Sequence, residues 1–530
     1  MENPLEIQGL TLVDWSIIAV YIASTIFLGW YYGRRQTSTK EYFVGTGQMN
    51  PVLIGVSLFA TLLSTISYLS MPGEALGKGP VYMMNALALP GVFLVVGFVL
   101  LPVYMNQRVT SAYELLEIKL GREIRTLGAI MFITLRLVWM SLLIYLTAKA
   151  MTIMLGVGED RIPLIALVTG VVAVIYTSMG GLRAVVITDL LQTILLYGGA
   201  LLVIGTVSWN LGGFSWIPTA WDPTWDTQPL FSTDLSVRVT LVGSVLNYLV
   251  WNICTAGGDQ TSVQRFMATK DANAARRALA TQLLVTVTVT VTLAFVGFAL
   301  LGYFNHNRHL LPDDLDLKVN ADRVFPLFIA YHLPPGISGL VVSAMFAAAM
   351  SSIDSGVNSI TAVFVTDLLP LIRDTPPEVL PSGEDSARQR HEMNIARWLA
   401  FGIGALVVTA SCGMGAIPGN ITAVTTKTAN LLATPIFGLF FFALFVPFAS
   451  VRGVLIGTAL GTLTAILIAF SGPIARLYAA TFDVVLNQPD VDPISFQWIA
   501  PFALVVNIIG GIVASLLLPD RRSGARNPPA

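Results

Sequence analysis

Charged residues, cysteine and histidine are scarce in this sequence. Only 12% of its 530 residues are charged and 55% are hydrophobic, whereas roughly 25% of an average soluble protein is charged. A soluble protein of this size would need a more charged surface, so the composition predicts a polytopic membrane protein. The two cysteines, Cys254 and Cys412, lie in apolar or tightly turned segments, and we expect neither a disulfide framework nor a metal site from them.

Other absences narrow the function. The sequence contains no basic tract, so no nucleic-acid partner is expected. It has no HExxH or GxSxG motif and only four histidines, which argues against a membrane enzyme, and no pore-loop filter motif that would favour a channel. The first apolar run, residues 10–33, lacks a basic start and a small-residue cleavage site, so we interpret it as a membrane span and not as a signal peptide.

Apolar runs of membrane-spanning length recur along the chain and predict an all-α protein with about 13 transmembrane helices. They fall near residues 10–33, 51–71, 80–105, 125–154, 162–178, 185–208, 236–257, 279–303, 335–369, 395–414, 422–449, 452–471 and 494–518. The Val-Thr alternation at 285–292 has the period of a strand. It lies inside one of these runs, where an open strand edge cannot be tolerated, so we predict a helix there.

The distribution of lysine and arginine predicts the orientation of the chain. With the N-terminus outside, 20 basic residues of the loops and span ends lie on the cytoplasmic side and 7 on the other side. Cytoplasmic loops carry the excess of Lys and Arg, so we expect an external N-terminus and a cytoplasmic C-terminus. Arg265, placed in an inner loop, is one of the 20.

One predicted helix, within residues 337–369, carries a polar face at membrane depth. At 100° per residue, Ser351, Asp354, Ser355 and Asn358 share this face, with Ser352 at its edge. A carboxylate among hydroxyls is costly in a bilayer and indicates a functional site. Oxygen ligands at this density suit a hard cation, so we predict that this helix forms one wall of a cation site.

Two predicted spans look interrupted, which indicates internal symmetry. The second span has Ser64 and Ser67 at mid-depth and ends in Pro72-Gly73, and the seventh runs into Gly257-Gly258-Asp259. Two interrupted helices, five spans apart and of opposite orientation, are typical of inverted repeats around a midplane binding site.

Five stretches resemble the sodium/solute symporter family, whose members carry sugars, sialic acids, amino acids, vitamins, iodide or monocarboxylates. They are residues 56–61 (VSLFAT), residues 110–117 (TSAYELLE), Met179-Gly180-Gly181 with Thr188-Asp189, Asp259-Gln260 with Val263-Gln264-Arg265, and the serine-rich helix described above. They occur in family order over most of the first nine predicted helices. No one of them is strong alone, but together they make the resemblance specific.

The resemblance implies a LeuT-like fold, in which the first helix of each of two inverted five-helix repeats is broken. One transporter domain would contain a leading helix (10–33), the first repeat (51–208), the second repeat (236–449), two trailing helices (452–518) and a cytoplasmic tail (519–530). The family's activity would be sodium-coupled symport of a small molecule by alternating access across the plasma membrane, or the inner membrane of a bacterium. Lipid is the expected surrounding, and a monomer would suffice.

Matching positions with the family implies a main sodium site. Its ligands would be the backbone carbonyls of Ala60, Leu63 and Ala348 and the hydroxyls of Ser351 and Ser352. The alternative is that these serines only bond the preceding helical turn. The co-transported ion implied is Na⁺.

A second cation site of some family members maps to Asp189, Ser351, Asp354 and Ser355. Many relatives have Ser or Thr where this sequence has Asp354. Two nearby carboxylates either bind cation charge or leave one of them protonated, so Asp354 could strengthen a second sodium site or carry a proton. Asp189 could instead cap or pair with a basic loop residue.

The substrate cavity implied by the family is lined from several spans. Its residues map to Leu62, Ser64, Ser67, Asn85, Asn252, Thr255 and Lys427. The acid and lysine of sugar carriers are missing near Ala86 and Thr286. The arginine of sialic-acid-type relatives would fall near Trp139, with Arg136 one turn away.

Lys427 gives a weak preference for an organic anion, such as a sugar acid or monocarboxylate. A cation facing a midplane cavity needs an anionic partner, which the substrate could supply. Lys427 could equally pair with Glu74 or an aspartate of the protein, or extend to the outer interface. A neutral sugar or polyol, or proton coupling on the same fold, remains the alternative.

Overall fold

The computed structural model of the protein describes most of the chain, and every regular element in that part is a helix. The described residues are 9–33, 43, 47–107, 109, 111–223, 225–227, 230–232, 234–312, 315–370, 386–416, 421–485 and 492–520. Part of the predicted inner loop (371–385) and the predicted tail beyond residue 520 lie outside them. The all-α fold class is therefore confirmed for the described residues.

Seventeen helical segments follow one another in the described chain. They are α1 (Leu12–Gly33), α2 (Pro51–Leu62), α3 (Thr65–Lys78), α4 (Pro80–Gln107), α5 (Glu114–Leu120), α6 (Arg122–Leu155), α7 (Ile162–Asn210), α8 (Leu241–Gly258), α9 (Gln260–Met267), α10 (Ala272–His306), α11 (Ala321–Tyr331), α12 (Ile337–Val363), α13 (Ser386–Ser411), α14 (Ile421–Phe445), α15 (Val451–Ala469), α16 (Ser471–Phe482) and α17 (Ile499–Leu517). The Val-Thr alternation at 285–292 lies within α10, so the predicted helix is confirmed there.

By length and composition, ten helices of the described chain could cross a membrane, or eleven if the bent pair α2–α3 counts as one span. Neither α8 nor the first part of α7 is among them, and the predicted count of 13 is not confirmed. The two runs predicted at 162–178 and 185–208 form one element, kinked at Gly181, where φ is 59° and ψ is 180°. Only glycine adopts this conformation readily, so Gly181 sets the kink.

The bend between α2 and α3 is the first interruption of the bundle. The two helices meet at 70° across Leu63 and Ser64, both of which have extended backbone. Ser64 caps α3, because its hydroxyl accepts a hydrogen bond from the Ser67 N–H at 3.4 Å. The interruption lies one helix earlier than Pro72-Gly73, which the structure places inside α3.

The second interruption lies at Asp259, between α8 and α9, as Gly257-Gly258-Asp259 predicted. Asp259 has extended backbone (φ −98°, ψ 121°) and caps α9 by accepting a hydrogen bond from the Thr261 N–H at 2.8 Å. A capping aspartate satisfies one of the free N–H groups at the start of the new helix. The Asp259 N–H also donates to the Thr255 carbonyl of α8 at 3.2 Å, so Asp259 caps both helices at the break.

Among the helices of the described chain that are long enough to cross a membrane, α12 is the most enclosed, with 89% of an 18-residue apolar window buried. It packs against α7, α6 and α1. Asp14, in the first turn of α1, holds the N-terminus of α12. Its Oδ1 accepts hydrogen bonds from the Gly336 N–H at 2.8 Å and the Gly339 N–H at 2.7 Å. A carboxylate at a helix N-terminus is favoured by the helix dipole. The serines of α12 are thereby held at a fixed height opposite the α2–α3 bend.

Candidate functional site: a polar layer and an enclosed cavity

The α2–α3 bend faces the serine-rich part of α12. The Ser352 hydroxyl donates to the Thr61 carbonyl at 3.2 Å and to the Leu63 carbonyl at 3.3 Å. The last carbonyls of a helix have no partner within that helix, and the bend leaves those of α2 pointing at α12. Backbone carbonyl oxygens of the bend and hydroxyl oxygens of α12 therefore lie close together in the interior of the bundle.

The five residues predicted for the main sodium site come together here. Ala60, Leu63, Ala348 and Ser351 line a small cavity of about 10 Å³, and Ser352 bonds to the adjoining carbonyls. A cavity of this size holds about one water-sized particle.

The residues predicted for the second cation site also lie together. The Ser351 hydroxyl donates to Asp189 Oδ1 at 2.6 Å, and the Ser57 hydroxyl donates to Asp189 Oδ2 at 2.5 Å. The Ser355 hydroxyl donates to Asp354 Oδ1 at 3.3 Å. Both carboxylates are completely enclosed, so α2, α7 and α12 share one polar layer.

Arg265 occupies this layer, which the sequence analysis missed. Its Nη2 lies 2.5 Å from the Ser355 hydroxyl and 3.4 Å from Asp189 Oδ2, and its Nε donates to the Ser57 hydroxyl at 2.8 Å. Its side chain is 1% exposed. The assignment of Arg265 to a cytoplasmic loop is therefore wrong. α9 is only eight residues long, and all eight are buried within the bundle after the Asp259 break, so Arg265 is buried with them.

A larger cavity of about 130 Å³ lies on the other side of the α2–α3 bend. Four predicted substrate residues line it: Leu62, Ser67, Asn85 and Asn252. The described lining contains amides, hydroxyls and aromatic rings but no carboxylate and no basic side chain. Thr286, whose position the family resemblance also puts near the cavity, lines it as well. The polar side chains that the prediction did not include are those of Tyr82, Trp139, Asn247, Tyr248, Trp251, Gln282, Thr290, Thr425, Thr426 and Asn430. Gln282 and Thr290 lie four residues before and after Thr286, a spacing that predicts one face of a helix and could have identified them.

Three predicted substrate residues do not line this cavity. Ser64 caps α3, and Thr255 lines a smaller pocket of about 30 Å³. The Lys427 Nζ forms an ion pair with Asp492 Oδ2 at 2.6 Å. Of the possibilities open for Lys427, the structure shows the pair within the protein. The position of Lys427 on α14 explains why it does not line the cavity. Thr426 and Asn430 are four residues apart and share the face of α14 that lines the cavity, whereas Lys427 lies on the next face.

The smaller pocket adjoins the larger cavity, since both are lined by Leu62 and Trp251. Arg136 lies at its floor, 7% exposed. Its Nη2 forms an ion pair with Asp259 and donates to the Thr261 hydroxyl at 2.7 Å. The Nε of Arg136 is buried and has no hydrogen-bond partner. The smaller pocket is therefore bordered by an ion-paired guanidinium with one unsatisfied Nε and by the Asp259 carboxylate.

An all-helical bundle with two interrupted helices around a polar cavity is typical of secondary transporters. The family model described as "Sodium:solute symporter family" matches residues 42–461. The chain belongs to this family: it is a sodium-coupled symporter, a multi-pass membrane protein and not an enzyme.

Similar proteins of known name cover most of the chain. It is 28% identical over 461 residues to the sodium/sialic acid symporter SiaT of Proteus mirabilis (strain HI4320), covering 86% of this chain and 88% of that one. It is 25% identical over 475 residues to the human sodium-coupled monocarboxylate transporter 1, covering 87% of this chain and 74% of the relative.

A solved structure supports the fold. The substrate-bound outward-open state of a Na⁺-coupled sialic acid symporter matches with a TM-score of 0.79 at 24% identity, covering 96% of this chain and 99% of the other. This likeness concerns the fold of the chain.

Proposed function

We propose that this symporter uses the sodium gradient to import a small organic anion. The observation that carries the proposal is Arg136, whose buried Nε has no partner at the floor of the cavity. A guanidinium can bind a carboxylate through several donors, and an anionic substrate would satisfy the free one. The pocket beside Arg136 measures about 30 Å³, which accommodates about two water-sized groups and hence the two oxygens of a carboxylate.

The relatives are consistent with this substrate class. One is named for sialic acid and another for monocarboxylates, and both kinds of substrate carry a carboxylate. In this proposal the uncharged amides and hydroxyls around the larger cavity bind the rest of the molecule. Lys427 loses the role that the sequence suggested, because its side chain lines neither cavity and its Nζ is paired with Asp492.

A neutral sugar or polyol is the second candidate. The 130 Å³ cavity favours it, since its described lining has amides, hydroxyls and aromatic rings and no charged side chain. In that case the Arg136–Asp259 pair would only join α6 to the break between α8 and α9.

Uptake into proteoliposomes decides between the two candidates. Carboxylates (sialic acid, sugar acids, lactate) and neutral sugars or polyols are offered with sodium or choline outside. We expect sodium-dependent uptake of a carboxylate, with a half-saturating concentration raised about tenfold or more in Arg136→Lys, because lysine keeps the charge but loses the fork of donors. Lys427→Met, which removes a cation outside the cavity, is the matched control and should transport like the native protein. Uptake of neutral solutes alone, unaffected by Arg136→Lys, would reject the anion proposal.

The main sodium site is proposed to consist of the carbonyls of Ala60, Leu63 and Ala348 and the hydroxyls of Ser351 and Ser352. Support comes from the bend, which directs the last carbonyls of α2 at Ser352. Sodium bound there would replace its hydration shell with protein oxygens and join α2 to α12.

The second cation site is proposed at Asp189, Ser351, Asp354 and Ser355. Arg265 changes the net charge of this site. The carboxylates of Asp189 and Asp354 contribute two negative charges and the Arg265 guanidinium one positive charge, which leaves one negative charge. One monovalent cation, sodium or a proton, would balance that charge.

Asp354→Ser is expected to reduce the charge carried per transport cycle by one, because it removes the extra carboxylate. The measurement is the reversal potential of the solute-dependent current, with the sodium gradient and the pH gradient varied separately. A sodium dependence that falls by one ion per cycle identifies a second sodium ion, whereas a pH dependence that disappears identifies a proton. Asp160→Ser, which changes a mostly exposed acid, is the control. An unchanged reversal potential in Asp354→Ser would exclude this site.

The transport cycle is proposed to be alternating access with an external N-terminus and a cytoplasmic C-terminus in the plasma membrane. The repeats would comprise residues 51–208 and 236–449, each beginning with an interrupted helix, within a total of 13 spans. Sodium at the bend would favour the outward-facing state and complete the substrate site, a coupling that must be reciprocal. Each charge that crosses contributes about 2.3 kcal/mol per 100 mV.

A further inference from the structure

Arg276 lies where α10 packs beside α4, near the helix ends that are proposed to face the cytoplasm. Its aliphatic stem passes Gly97 of α4, since a Cβ at Gly97 would lie 3.5 Å from the Arg276 Cγ and 3.8 Å from its Cδ. The guanidinium carbon lies 4.9 Å from the centre of the Phe98 ring. α4 contains a turn of π-helix here, at Val96–Leu100, a local widening that is frequent at functional sites. We call this place, lined by Gly97, Phe98, Arg276 and Arg277, the α4–α10 groove.

The positive charge of the groove has no counter-charge. The Arg276 Nε is buried without a hydrogen bond. Within the described chain no carboxylate forms an ion pair with Arg276 or with the adjacent, exposed Arg277. Asp271, the nearest acid in the sequence, caps α10, where its Oδ1 accepts a hydrogen bond from the Ala274 N–H at 2.8 Å. Because guanidinium groups bind phosphates and carboxylates through parallel N–H donors, two adjacent arginines without an acid favour an anionic ligand.

Apolar side chains continue from the groove toward the middle of the proposed membrane. Phe98 is 53% exposed, Leu94 four residues before it on α4 is 60% exposed, and Leu284 on α10 is 68% exposed. Leu284 follows Arg277 by seven residues, so the two share one face of α10 and lie about 10 Å apart along its axis. A surface that is cationic at one end and apolar along its length matches a molecule with an anionic head and a hydrocarbon tail.

We propose that the α4–α10 groove binds the phosphate headgroup of an anionic phospholipid, with Arg276 and Arg277 as its ligands. Basic pockets between transmembrane helices are known to hold such headgroups. The acyl chains would lie along Phe98 and Leu284. Both helices also line the larger cavity, so a bound lipid would stabilise the packing of two of its walls. The lipid site is separate from the proposed substrate and sodium sites, and its failure would leave them unaffected.

The test is thermal unfolding of the purified full-length protein in an uncharged detergent, titrated with phosphatidylglycerol or with phosphatidylcholine of the same acyl chains. We expect phosphatidylglycerol to raise the unfolding temperature and phosphatidylcholine to have little effect, because only the first lipid has a net negative charge. In Arg276→Gln, the fraction of phosphatidylglycerol for half-maximal stabilisation should rise about tenfold, the size of one lost bond to a charged group. Arg277→Gln should raise it by a similar factor without disturbing the packing of Arg276 on Phe98.

Arg183→Gln is the matched control, because it removes an exposed arginine from α7 on the same proposed side of the membrane. It should leave the half-maximal fraction unchanged. An equal rise in Arg183→Gln and Arg276→Gln would show a general attraction of the lipid to basic residues and overturn the site. Equal stabilisation by both lipids, or a native response in both Arg276→Gln and Arg277→Gln, would also overturn it. Soluble glycerol 3-phosphate should not stabilise the protein, and stabilisation equal to that by phosphatidylglycerol would reject a lipid as the ligand.

Discussion

Replacing Arg265 by methionine is expected to destabilise the protein by about 3–5 kcal/mol, the usual cost of removing one partner of a buried ion pair. The substitution leaves Asp189, which is 0% exposed, without the guanidinium that lies 3.4 Å from its Oδ2. It also removes the donor to Ser57. For a chain of this length, the loss corresponds to a fall of roughly 3–5 °C in the unfolding temperature, measurable by differential scanning fluorimetry in detergent.

Two further variants test the cause of this loss. Arg183→Met removes an exposed arginine from α7, and we expect a change of at most about 0.5 kcal/mol, as at most surface positions. The double variant Arg265→Met/Asp189→Asn removes both charges and should recover part of the stability lost in Arg265→Met. If Arg265→Met unfolds at the native temperature, the pairing of Arg265 with Asp189 is contradicted.

Replacing Ser351 by alanine is expected to have the largest effect on transport. Ser351 lines the small cavity at the bend and also donates to Asp189, so its hydroxyl belongs to both proposed cation sites. Loss of one bond to a charged partner corresponds to about 10–100-fold in affinity. We expect the sodium concentration for half-maximal uptake in proteoliposomes to rise by that factor, with uptake at low sodium close to background.

Ser343→Ala is the control for Ser351→Ala. Ser343 is equally buried on α12, but its hydroxyl donates to the Gly339 carbonyl of its own helix at 2.8 Å. Its removal should leave the sodium dependence of uptake unchanged. If Ser351→Ala and Ser343→Ala behave alike, the hydroxyl of Ser351 has no particular role in sodium coupling.

The positions of the helices were largely predictable, whereas their interruptions were predictable only in part. Hydropathy located α10 and α12 because a bilayer admits only segments that satisfy their own backbone hydrogen bonds. The Gly257-Gly258-Asp259 break was visible because aspartate is a capping residue. Composition alone suggested that the first break lies at Pro72-Gly73, whereas the structure has it at Leu63 and Ser64. Ser64 caps the new helix α3, and Pro72 lies inside that helix without interrupting it.

Charged residues show where sequence reasoning reached its limit. Arg265 looked like an ordinary loop arginine, since a count of basic residues does not reveal that it lies on a short helix whose residues are all buried. Lys427 looked like a substrate ligand, but it forms an ion pair with Asp492, 65 residues away. Arg136 was one turn from the position implied by the family, and only the packing of α6 against the interrupted helices shows that it lies at the cavity floor.

The sequence by itself determined that the chain is a helical membrane protein and which helix carries the hydroxyls of the proposed cation sites, because hydrophobic length and helical period are local properties of the chain. Only the tertiary structure decided which charges meet: Arg265 with Asp189, Lys427 with Asp492, and Arg136 with Asp259. Inside a bilayer each of these charges needs a partner, and the partner is set by how distant helices pack. That packing also joined α7 to the bend, where Gln192 and Ser351 face the same small cavity.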